Sequence, residues 1–85
     1  MDIVLVQWWD ACGGELSSWR SFEELKKTSP ALCYSTGFLV HEGTKEGMDY
    51  IVVCPHLTYE KEGDGELSIP KAWVKSVTVL TSISF

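Results

Sequence analysis

The most reactive side chains in this chain are Cys12, Cys33, Cys54, His41 and His56. Cys54 and His56 stand two apart and would share a face if a strand ran on through Pro55, so with Cys33 or His41 they could surround zinc. Structural zinc sites draw close ligand pairs from at least two segments, and this spacing fits that pattern poorly. A free cysteine in an apolar stretch is more often a small buried hydrophobe. Nucleophilic catalysis is no better served. Two histidines with no G-x-S-x-G turn leave no nucleophile set beside an orienting base and an oxyanion site. Neither a P-loop nor a G-x-G-x-x-G is present. The acidic run Glu60, Glu62, Asp64 and Glu66 lacks the ligand order of a calcium loop and reads as a solvated tip. The chain is therefore expected to be non-enzymatic, with neither a metal nor a cofactor.

Aromatic residues say more. Four tryptophans, Trp8, Trp9, Trp19 and Trp73, are many for 85 residues. Trp8 and Trp9 must point to opposite faces of one strand, so at least one of them belongs to the core. Trp9-Asp10 and Trp19-Arg20 each set a charged group beside an indole, an arrangement that can stack a flat ring and hydrogen-bond its edge. Lys71 follows Pro70 in a rigid turn. It lies in the longest acid-free stretch of the chain, because residues 67–85 contain Lys71, Lys75 and no Asp or Glu.

The length allows one domain, 1–85, with a core too small to be comfortable alone. The odd number of cysteines, with no C-x-x-C, argues for reduced thiols. Neither a basic leader nor an apolar run of membrane-spanning length is visible, so a cytoplasmic location with no membrane partner is expected. Seven Lys plus Arg against twelve Asp plus Glu give a net charge of −5. That balance opposes the counterion release on which duplex binding depends, which leaves duplex nucleic acid an unexpected partner.

The elements that must position these residues are mostly strands. Ile3 to Trp9 is apolar on both alternating faces, as in a strand covered on both sides. A loop from Asp10 to Ser18 follows. Ser21 and Glu24 form a capping box for a short helix from Phe22 to about Lys27, which Pro30 ends. Leu32 to Glu42 reads as a strand in which Gly37 marks a bulge or bend. A hairpin through Gly43 to Gly47 leads to the strand Met48 to Cys54, which Pro55 stops. Glu60 to Gly65 is a charged tip, Leu67 to Ile69 a brief strand, Pro70 to Trp73 a tight turn, and Val74 to about Ser84 a last strand. Val77, Val79, Ile83 and Phe85 share a face of that strand, and Leu80 breaks the pattern. The expected fold class is mainly β (α+β): a small, strongly bent five-stranded antiparallel barrel with one short helix inserted after the first strand. The doubly apolar first strand and the unpaired last one predict that copies of the chain associate into a homo-oligomer.

Trp8-Trp9-Asp10-Ala11, Trp19, Ser35-Thr36-Gly37-Phe38-Leu39-Val40 and Ile69-Pro70-Lys71, with Val74 and Val77, together resemble a pattern of small uncharacterised proteins of tailed bacteriophages. The element order is also similar to Sm-like small barrels, except that the helix here follows the first strand. The resemblance implies a viral origin, acting in the host cytoplasm. By analogy it implies a non-enzymatic oligomer that sequesters a nucleotide-derived immune signal and so counters host defence. In that reading Trp19 stacks a base, Arg20 and Lys71 hold phosphate, and Asp10 and Thr36 read polar edges. Two other readings stand beside it: a module that inhibits a host or phage protein through a strand edge or a tryptophan patch, and a minor virion accessory protein.

Overall fold

The computed structural model describes residues 1–12 and 19–84. Its main element is a five-stranded antiparallel sheet in the order β6-β3-β2-β1-β7. The strands are β1 (Asp2–Asp10), β2 (Ala31–Lys45), β3 (Met48–Cys54), β6 (Leu67–Pro70) and β7 (Val74–Ser82). Between β3 and β6 a second, two-stranded sheet pairs β4 (His56–Leu57) with β5 (Gly63–Asp64). The helix α1 (Phe22–Leu25) lies in the connection from β1 to β2, and a 3-10 turn, Lys71–Trp73, joins β6 to β7.

The sheet is mainly β and antiparallel as expected, but it does not close into a barrel. β6 and β7 are its two edges and do not pair with each other, although only Lys71–Trp73 separates them in the chain. A connection that short holds one end of the two edges near each other, and the sheet curls strongly without completing its last ladder.

The curl is visible at Gly37. This residue is opposite Val4 in the β1–β2 ladder, and a methyl group there would sit 2.6 Å from the Cys54 carbonyl oxygen and 3.1 Å from Val53 Cγ1. No side chain fits in that gap. The bulge in β2 is elsewhere: pairing runs from Leu39–Val53 to His41–Val52 and leaves Val40 out. Of the bulge or bend expected at Gly37, the bulge lies at Val40, and Gly37 is a point of close backbone approach where the sheet curls.

Above the curl, Val4 and Val6 of β1, Ile51 and Val53 of β3 and Ile69 of β6 form the buried cluster, with Trp8, Leu39 and Val74 packed against it. All of these follow the period-2 alternation of their strands, so one sheet face is the core. The other face is also apolar at Ile3 and Leu5, which stay half-buried.

Several boundaries move from those expected. β2 runs on through Gly43 to Lys45, so the hairpin narrows to Glu46 and Gly47, both at positive φ (51° and 79°). That backbone matches the twist of the flanking strands. α1 stops at Leu25, which leaves Lys26 and Lys27 beyond its last turn. The expected charged tip, Glu60 to Gly65, contains β5 and is part of the longer β4–β5 hairpin, fastened by Thr58 N–H to Glu62 O at 2.8 Å and by Glu62 N–H to Thr58 Oγ1 at 3.1 Å. β7 skips Lys75 and Leu80 in its pairing with β1, and that second irregularity is why Leu80 broke the alternation. The part of the expected loop from Asp10 that covers residues 13–18, and Phe85, lie outside the described residues.

Candidate functional site

Strand β1 carries Trp8 inward and Trp9 outward. The Trp8 indole N–H donates to Ser35 Oγ at 3.0 Å across the β1–β2 ladder, and its ring packs on the buried cluster. Trp9 opposes Leu32 and is 44% exposed. Tyr34, opposite Gln7, shares that outer face and is 63% exposed. Trp9 and Tyr34 therefore stand as diagonal neighbours, a spacing within reach of aromatic side chains.

The five residues expected to hold a ligand are spread over several places. Asp10 ends β1 opposite Ala31 and is half-buried. Trp19 is fully exposed, and the adjacent Arg20 is half-buried. Thr36 opposes Leu5, on the face away from Val4, and its hydroxyl donates to the Val4 carbonyl at 2.9 Å. Lys71 opens the 3-10 turn, with Nζ 3.8 Å from Glu42 Oε1. Glu42 was not singled out by its type or spacing. It reaches Lys71 because the bulge at Val40 resets the alternation of β2, placing Glu42 opposite Ile51.

Lys71 and Glu42 stand at a concave cleft of about 310 Å³ whose other walls are Leu39, Ile51, Val74 and Val77. The cleft is apolar with one ion pair, and it lies on the core side of the sheet, beside the edge strand β7. Thr36 lines a different, smaller cleft of about 180 Å³ with Ser35, Val53, Pro55, Gly65 and Leu67. Neither cleft is lined by a tryptophan. A stacking ring and a phosphate-holding lysine are therefore not brought into one concavity by the described residues of a single chain.

Cys54 and His56 do not converge on a metal. Cys54 is buried, and its thiol donates to the backbone carbonyls of His56 at 3.1 Å and Asp64 at 3.3 Å, tying the base of the β4–β5 hairpin to β3. Among the described residues no group of three or more His, Cys, Asp or Glu side chains could hold an ion. His41 instead packs its ring on Tyr50, with centroids 5.8 Å apart.

The sheet edges are blunted. Of the two, β6 is short, follows Glu66 and ends at Pro70, while β7 is interrupted at Lys75 and Leu80. Irregular pairing, proline and lysine are the features that keep an edge from templating another strand. Large exposed apolar side chains include Trp9 and Tyr34 on the outer face, Trp19, Phe22 and Leu25 around α1, and Val77, Val79 and Leu80 along the edge strand β7. Among the described residues no helix is long and apolar enough to cross a membrane. Compared with protein families, with curated proteins and with solved structures, the chain matches none.

Proposed function

We propose that the protein is a non-enzymatic, self-associating binding protein that inhibits a protein target through the aromatic outer face of β1 and β2. The observation that carries this reading is the position of Trp9 and Tyr34, both exposed and both outside the concave clefts. Aromatic side chains on an open, rigid sheet face bury much area at small entropic cost when they meet a complementary protein surface. The blunted edges favour this patch over strand addition. The resemblance to small tailed-phage proteins makes a host or phage protein the natural target, in the cytoplasm of an infected cell.

Self-association is supported by area. The chain exposes 6463 Å², roughly 1,400 Å² more than the mass scaling expects for 9.5 kDa. Its radius of gyration is 16.4 Å, where a compact chain of this length has about 12 Å. A standard interface removes about 800 Å² from each partner, so a second copy could account for the excess.

Affinity capture from infected bacteria tests the target reading. Wild-type protein should retain a discrete partner, and Trp9→Ala should weaken that same partner about 30-fold, the size of an aromatic hot spot. Equal retention by a folded Trp9→Ala variant would remove the outer face from consideration.

Capture of a nucleotide-derived signal between subunits is the second reading, favoured by Lys71 at the mouth of an apolar cleft. Native mass spectrometry with cyclic nucleotides and adenine dinucleotides checks it. Sequestration predicts one added ligand mass per interface, lost in Lys71→Ala; ligand-free oligomers across the panel would end it.

A further inference from the structure

Two surfaces of this chain are apolar and uncovered, and each carries both acidic and basic side chains beside its apolar residues. The first is the cleft walled by Leu39, Ile51, Val74 and Val77, extended along β7 by Val79, which is 54% exposed. The second is α1. It buries none of its residues; Phe22 is 80% and Leu25 50% exposed, and the two share one face at i and i+3. A helix of this length has almost no stability of its own, since nucleation costs more than its few hydrogen bonds return. Its apolar face needs a surface to lie on.

We infer that the helix face Phe22/Leu25 of one copy docks in the Leu39/Ile51/Val74/Val77 cleft of a second copy, reciprocally, to make a closed two-fold dimer. The inference rests on the self-association proposed above and names its contact. Charge argues for this occupant. The first turn of α1 carries Glu23 and Glu24 and is followed by Lys26 and Lys27, while the cleft carries Lys71 with Glu42. Acids of one copy can thus meet bases of the other at both ends of the contact. Packing β7 against β7 would instead bring Lys75 of both copies together along a strand that has no acid of its own. A two-fold exchange covers both surfaces on both chains and closes, so it does not propagate into fibres.

The test uses the full chain with a benzophenone amino acid in place of Phe22, prepared as a mixture of isotopically light and heavy protein. Position 22 is exposed, so the probe does not disturb the core. Sedimentation should give about twice the mass of one chain, and irradiation should link position 22 of one copy to Leu39 or to the β7 residues Val74–Val79 of the other. Phe22→Glu and Val77→Glu, each with unchanged circular dichroism, should shift the sample to the single-chain mass. Wild-type protein sedimenting as one chain would remove both this contact and the self-association on which it rests. A stable oligomer whose cross-link stays within one chain or lands away from the cleft would overturn the contact alone. So would an oligomer that Phe22→Glu leaves intact, as β7-to-β7 packing would.

Discussion

Trp8 and Trp9 are the same side chain one residue apart, and their environments could hardly differ more. Trp8 donates its indole N–H to Ser35 and lies on the buried valines, whereas Trp9 faces out with Tyr34. Alternation along a strand requires that they separate, and only the direction in which the sheet curls decides which goes in. Trp8→Phe keeps one aromatic ring but loses the other half of the indole and its hydrogen bond, so urea denaturation should register at least about 1 kcal/mol of destabilisation. Trp9→Phe should leave the midpoint unchanged. At Gly37 the cost is steric: a methyl group 2.6 Å from a backbone oxygen forces strand movement, and Gly37→Ala should lose about 1–3 kcal/mol in the same assay. Glycine in a strand was readable as special from its type alone, but a bulge and a close approach leave the same mark in a sequence.

At the scale of elements, local signals served best where the hydrogen bonds are local. The Ser21 cap is present as spelled, with Glu24 N–H donating to Ser21 Oγ at 3.3 Å, while the Glu24 carboxylate accepts from the Ser21 hydroxyl at 3.3 Å; Leu25 and Lys26 amides bond back to Ser21 and Phe22 carbonyls at 3.0 Å. Because α1 buries nothing in the single chain, its cap and the core are uncoupled. In the Phe22→Glu background, which should hold the protein at single-chain mass, Ser21→Ala should speed amide hydrogen exchange at Leu25 and Lys26 without moving the unfolding midpoint of the sheet. A shifted midpoint would mean that α1 is held by more than its own chain's cap. The β4–β5 hairpin escaped the sequence reading for the opposite reason. Its strands, His56–Leu57 and Gly63–Asp64, are two residues each, too short for any alternation, and Cys54 holds their base through contacts ten residues apart along the chain. The two interruptions of β7 likewise arise from its fit to β1, and nothing in the run Val74–Ser82 announces both of them.

The whole molecule stands on a small core: five buried aliphatic residues from three strands, with Trp8, Leu39 and Val74 at its margin. Removing part of one such side chain leaves a cavity that the ladder cannot close, so Ile51→Ala should cost about 2–5 kcal/mol. For a domain of this size that is much of the total stability, and the variant should be largely unfolded by circular dichroism at ordinary temperature. A well-folded Ile51→Ala variant would show that the cluster is not the centre of stability.

By itself the sequence determined the period of each strand, the helix cap, the positions where proline halts pairing, and the excess of large apolar residues over what one small core can enclose. These are properties of a residue and its near neighbours, or of composition. The tertiary structure decided the rest. It left the curled sheet open between β6 and β7, turned Trp8 in and Trp9 out, and put Lys71 within reach of Glu42 while keeping Thr36 on the other face. Each of those outcomes depends on register between strands far apart in the chain, where one skipped residue exchanges the faces of everything beyond it. Lys71 and Glu42, separated by the end of β2, all of β3, the small hairpin and β6, become neighbours only because β2 skips Val40.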